Sequence, residues 1–172
     1  MTLPAVVSRN DRMRYASARV VFQEVPDEIS LALLITGCPI GCAGCHSADA
    51  WAPNRGQVLD GEPLAGLLDR HRKFLTCVVF LGGEWAPAEL AGLLDLARAR
   101  SLKTCLYTGL EEPQVPAELK ARLDYLKVGP YRADLGGLGS PRTNQKFIDL
   151  RTNEVINYRF QHEGGTRDSN QY

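Results

Sequence analysis

The chain lacks a surplus of charge: Lys plus Arg number 20 and Asp plus Glu number 20 in 172 residues. A balanced chain has no overall positive field to draw it to nucleic acid or to an anionic bilayer, so a general nucleic-acid binder is disfavoured. Long apolar runs are missing as well. The longest aliphatic stretch is Leu31 to Ile35, far short of the roughly 18 residues a membrane span needs. Met1 to Tyr15 carries Arg9, Arg12 and Arg14 but no apolar segment of the kind a secretory leader has, so the expected address is the cytoplasm. Length is also short for a complete eight-unit α/β barrel, which takes about 250 residues. No internal repeat and no break between two domains is visible. The reading is one domain over 1–172, with an N-terminal extension over 1–14 and a tail over 161–172 expected to be mobile.

What is present is a core. Hydrophobic residues make up 44% of the chain and charged ones 23%, the balance of a folded protein. Arg19 to Val25 and Ile29 to Thr36 read as two strands joined by Pro26-Asp27-Glu28. The second is apolar on both faces, which predicts a central parallel strand with helices on either side. Leucines 64, 67 and 68 predict a helix over Glu62 to Phe74, and Leu90, Leu93, Leu94 and Ala97 one over Pro87 to Arg100. Cys77 to Leu81, Lys103 to Tyr107 and Tyr125 to Val128 read as buried strands, with a short helix over Pro116 to Leu123. This alternation predicts an α/β fold with a parallel sheet. Gly129 to Asn144 is a loop, and Phe147 to Leu150 and Glu154 to Tyr158 are expected to form a last strand pair.

Five cysteines in a reducing compartment are ligands, nucleophiles or buried apolar residues rather than disulfides. Cys77 and Cys105 fall inside apolar strands and read as small hydrophobes. Cys38, Cys42 and Cys45 lie in the Gly- and Pro-rich loop after the second strand, and three thiols so close together imply a metal. Zinc usually takes four ligands, and His46, adjacent to Cys45, is poorly placed to complete the same tetrahedron. An iron–sulfur cube held by three thiolates leaves one iron without a protein ligand, where a substrate can bind. A zinc knuckle remains the alternative at this point.

The spacing C-x3-C-x2-C after a first buried strand resembles the radical S-adenosylmethionine enzymes. That resemblance implies a shortened, partly open (β/α) barrel and a [4Fe-4S] cluster on Cys38, Cys42 and Cys45. It also implies S-adenosyl-L-methionine bound through its amine and carboxylate at the free iron. The residue before the last cysteine is often aromatic in that superfamily and here is Gly44, so the adenine is expected to lean on Gly44, Cys45 and the His46 ring. Gly82-Gly83-Glu84, after the next strand, resembles the motif for the methionine ammonium: bare carbonyls accept from an ammonium, and glycine lets a ligand approach. Thr108 offers a hydroxyl and Lys127 a cation at the same end of the sheet.

Asp124-Tyr-Leu-Lys-Val-Gly-Pro-Tyr131 and the stretch from Leu135 to Gln145 resemble the C-terminal signature of the anaerobic ribonucleoside-triphosphate reductase activating proteins. With the cysteine loop, the likeness spans about residues 17 to 158. It implies an oxidoreductase that takes an electron from a flavodoxin- or ferredoxin-like donor and cleaves S-adenosylmethionine. The 5′-deoxyadenosyl radical then removes a hydrogen from a glycine of the large reductase, the expected partner, and the 129–144 loop is the expected interface. No acid–base pair beyond cluster and cofactor is required. A small radical enzyme acting on a free metabolite and a non-catalytic metal-binding interaction module stay as alternatives.

Overall fold

The structure, a computed structural model, describes residues 12–161. Eight strands make one sheet in the order β3-β1-β2-β4-β5-β6-β7-β8. They are β1 (Arg14–Val21), β2 (Ser30–Ile35), β3 (Gln57–Val58), β4 (Cys77–Leu81), β5 (Lys103–Tyr107), β6 (Tyr125–Val128), β7 (Lys146–Asp149) and β8 (Glu154–Val155). The helices are α1 (Gly61–His71), α2 (Pro87–Ala99) and α3 (Ala117–Lys120). β2, β4, β5 and β6 run parallel, while β1, β3, β7 and β8 join antiparallel. The expected barrel with a parallel sheet is therefore corrected to a mixed sheet, parallel only at its centre. Only strands joined through a helix become parallel neighbours; the short turns around Asp27 and Asn153 can return the chain only antiparallel.

Strand alternation divides the core into two layers. Leu31, Leu33, Val78, Phe80, Leu106 and Leu126 face Leu64 and Leu68 of α1, Leu90 and Leu94 of α2, and Leu119 of α3. The opposite face presents Ala32, Cys77, Val79, Cys105, Tyr125 and Phe147, covered by Val21 and Val25 and flanked by Ile156 and Phe160. The expectation of helices on both sides of β2 is thus corrected. Its second face is closed by the chain after β1 and by the C-terminal turn, which bury it as thoroughly as a helix would.

Element ends follow local chemistry. Asp60 caps α1 by accepting from the Glu62 N–H at 3.2 Å, and Pro87 opens α2 where its missing N–H breaks no bond. The first strand, expected over 19–25, begins at Arg14, where β3 and Ile35 supply partners, and ends at Val21. Val25 then accepts from the Glu28 N–H in a turn. Residues 12–14, read as part of an extension, belong to the fold: Met13 is buried and its N–H donates to Glu89 at 2.8 Å. The last strand is shorter than expected, because the chain turns at Asn157–Arg159 so that the Asn157 side chain can bond Phe147 N and Gln145 O. The stretches 1–11 and 162–172 lie outside the described residues.

At the N-terminal ends of the parallel strands, buried Glu28 accepts from Lys103 and from the Tyr125 hydroxyl. Arg151 donates to that hydroxyl and holds Asp149 through a bond that keeps its carboxyl below the usual range. A carboxylate so depressed stabilises the fold above its unfolded pKa near 3.8 and loses that contribution as pH falls through its native value. Acid titration followed by circular dichroism is expected to show Asp149→Asn less stable than the parent at neutral pH, the difference vanishing at the acid end.

Candidate functional site

The other end of the sheet, beyond the C-terminal ends of β2, β4, β5 and β6, gathers the residues singled out in sequence. After β2 the chain leaves through Thr36, whose hydroxyl bonds the Arg14 and Arg55 carbonyls. Gly37 N–H and Cys38 N–H both donate to Ala50 O, at 2.7 and 3.4 Å, which closes the cysteine loop at its base. Within it the Cys45 N–H donates to Cys42 O at 3.1 Å, and the Ser47 N–H reaches Cys45 Sγ at 3.4 Å. The thiols of Cys38, Cys42 and Cys45 are free and half-buried. Ile40 lies over Gly109, where an added Cβ would stand 2.8 Å from its side chain, so the loop is seated on the chain that follows β5.

Gly82 and Gly83 leave β4 with φ of +95° and +108°. A Cβ on Gly82 would meet the Trp85 ring at 2.7 Å, so both backbone and space require glycine there. The next residue, Glu84, is buried. Its Oε1 accepts from the Thr108 hydroxyl at 2.7 Å, and that hydroxyl accepts from the Leu110 N–H at 3.0 Å. Glu84 Oε2 is buried with no hydrogen-bond partner, and burial is the main reason its pKa rises. The structure thus gives the Thr108 hydroxyl the role of holding Glu84.

Lys127 lies on the helix-free side of β6, buried, with Nζ donating to Gly129 O at 3.0 Å and more weakly to Thr108 O at 3.5 Å. Two carbonyls leave one of its three N–H groups for another acceptor. Burial lowers its pKa to about 8, opposed by the attraction of Cys42, Cys45 and Glu84. Cys38 is pushed the other way, upward, by burial first and by Glu84 and Cys42 as well. The three thiols, the carboxylate and the ammonium all stand at the C-terminal ends of neighbouring parallel strands, with Thr108 bonded to both Glu84 and Lys127. His46 is exposed and Gly44 faces solvent on one side. Tyr131, to which the sequence reading gave no role, packs against both, its ring centroid 5.2 Å from that of His46. Its signal was present: it follows Lys127 closely, after a Gly-Pro turn at the sheet end that carries every other candidate.

Cys77 and Cys105 are fully buried on neighbouring strands, and burial drives both thiols toward the neutral form, Cys77 up to about 12. A cavity of about 570 Å³ at the opposite end of the sheet is lined by Glu28, Lys103, Tyr125 and Arg151. Its charged groups already have partners, Glu28 with Lys103 inside it and Arg151 with Asp149 beside it.

The donors at the upper end, three free thiols of one loop, have the chemistry of iron–sulfur ligands. Among the described residues no three His, Cys, Asp or Glu side chains converge on one metal position. Three half-exposed thiols in a glycine-jointed loop, at the sheet end that also holds the buried Lys127 ammonium, fit such a cluster. Among the described residues no helix is long and apolar enough to cross a membrane. No curated protein matches the chain. Residues 29–136, which run from the start of β2 through the cysteine loop to the loop after β6, match the family model described as 4Fe-4S single cluster domain. With the greater part of the sequence inside that match and a thiol loop suited to such a cluster, the chain belongs to the 4Fe-4S single cluster domain family.

Proposed function

We propose that this protein is a radical S-adenosylmethionine activating enzyme that generates a glycyl radical on anaerobic ribonucleoside-triphosphate reductase. The observation that carries the reading is Glu84 Oε2, a buried carboxylate oxygen with no partner at the sheet end that holds the three thiols. Leaving such a group unpaired costs about 1–3 kcal/mol or more when it is charged, and a cationic donor removes that cost. The ammonium of a methionine-bearing cofactor is such a donor.

In this reading Cys38, Cys42 and Cys45 hold the cluster and leave one iron open. Held there, such a cluster would supply the electron for reductive cleavage of the cofactor's sulfonium. Glu84 takes the ammonium, with the Gly82 and Gly83 carbonyls as further acceptors. Thr108 fixes the carboxylate so that its free oxygen is aimed before the ligand arrives. Lys127 presents its remaining N–H to the carboxylate or ribose, and its charge balances thiolates that would otherwise repel one another. The four central parallel strands with helices on one face make a partial (β/α) unit, and the C-terminal ends of those strands, beside the half-exposed thiols, are the opening by which a glycine-bearing segment of the partner would enter. The 129–144 loop borders that opening, and a flavodoxin- or ferredoxin-like donor in the cytoplasm completes the proposal.

The test is to mix reduced protein, S-adenosylmethionine and the reductase without oxygen. A glycine-centred doublet in electron paramagnetic resonance is the expected result. With a correctly loaded cluster, its absence would transfer the assignment to a small radical enzyme acting on a free metabolite.

A further inference from the structure

We propose that Tyr131 is the aromatic surface on which the purine of the bound nucleoside rests, with the His46 ring as a second wall. This rests on the function proposed above and goes beyond it, because it assigns the base-recognition role to a loop distant in sequence from the cysteines. A purine has two flat faces, and an aromatic ring is the side chain that covers one at little entropic cost. The cysteine loop cannot present a ring at position 44. Gly44 has φ of +74°, a conformation that strains any side chain, and the Tyr131 ring lies 3.8 Å from where its Cβ would stand, an ordinary contact distance. The space beside Gly44 is instead bordered by Tyr131, whose ring is tilted 57° from that of His46, giving two walls meeting at an angle.

The ring is also placed in register with the polar end of the site. Gly129 O binds Lys127 Nζ at 3.0 Å and Gln145 Nε2 at 3.3 Å, and Pro130 O accepts from Asn144 at 2.9 Å. Lys127 and Tyr131 are thus two points on one anchored turn. A ligand held by its amino-acid end at Glu84 and Lys127 would direct its nucleoside along that turn. Tyr131 is half-buried, so its ring is held while one part stays open to a ligand.

Titration calorimetry on anaerobically loaded protein, with S-adenosylmethionine and with methionine alone, tests the assignment. Tyr131→Ala is expected to keep its iron, to bind methionine as the parent does and to bind S-adenosylmethionine at least about tenfold more weakly, the scale of one lost base–aromatic stack. Tyr131→Phe is expected to match the parent. Unchanged affinity for S-adenosylmethionine in Tyr131→Ala would overturn the proposal. So would an equal loss for both ligands, or a loss of iron, since either would mean that the ring only supports the cysteine loop. A loaded parent that binds neither ligand would overturn the proposed function itself and this assignment with it, a result none of the variant outcomes can mimic.

Discussion

Replacing Cys38, Cys42 or Cys45 by Ala is expected to abolish a stable iron–sulfur cluster. The parent, loaded without oxygen, should carry roughly four irons and four sulfides per chain, the content of one cube. Each ligand must lose its proton to bind. Cys38 resists this in the metal-free protein, because burial and the neighbouring Glu84 and Cys42 all favour its neutral form. Loading must therefore release protons, and removing one thiolate leaves two iron ligands in a loop with no close substitute. His46 stands against Tyr131, and Cys77 and Cys105 are locked in the sheet. Cys77→Ala is the control. It should keep the full iron content and cost about 1–2 kcal/mol of stability, the range for trimming a small buried side chain. Iron, sulfide and zinc counts with thermal unfolding read both effects, and reductive cleavage of S-adenosylmethionine by the triple variant would refute the ligand assignment.

The second large effect is expected at Glu84, where binding and stability should move in opposite directions. Glu84→Gln keeps an acceptor for the Thr108 hydroxyl but removes the charge. Affinity for S-adenosylmethionine should fall roughly tenfold to a hundredfold, the scale of a lost charge-assisted hydrogen bond. The ligand-free variant should be as stable as the parent or more so at neutral pH, since a half-satisfied buried charge has gone. The sign follows from the raised pKa. Between 4.5 and its native value the folded protein binds more protons at Glu84 than the unfolded chain, so the parent loses stability as pH rises through that window. The variant has no such slope, and the two should converge in acid. Parent affinity should also decline as pH falls through the same window, because a protonated acid no longer attracts an ammonium. Calorimetric affinities and melting curves at several pH values check both halves; a variant that binds S-adenosylmethionine like the parent would remove Glu84 from the site.

Much of this arrangement could be read before folding, because its information is local. The intervals between Cys38, Cys42 and Cys45 lie within one loop, and Gly82-Gly83-Glu84 follows directly on an apolar strand. Leucine spacing set α1 and α2, and the runs at 77–81, 103–107 and 125–128 became β4, β5 and β6 with matching bounds. The family match to a 4Fe-4S single cluster domain agrees with the metal reading of the cysteines. The errors came where a residue's surroundings are supplied from far along the chain. Continuous apolarity in β2 says only that both faces are buried, not that Val21 and Val25 rather than a second layer of helices cover one of them.

The sequence by itself determined which residue types are available for the chemistry and in what order they leave the strands, since spacing and periodicity are properties of adjacent residues. The tertiary structure alone decided that Thr108 aims Glu84, that Lys127 is buried against the Thr108 and Gly129 carbonyls, that Ile40 seats the loop on Gly109, and that Tyr131 meets Gly44 and His46. Each of those relations depends on sheet order and register. A shift of one residue in β6 would turn Lys127 to the opposite face and away from the thiols, and nothing within the strand's own residues forbids it. It is the pairing of Lys127 with Phe147 and Tyr107 on the neighbouring strands that does.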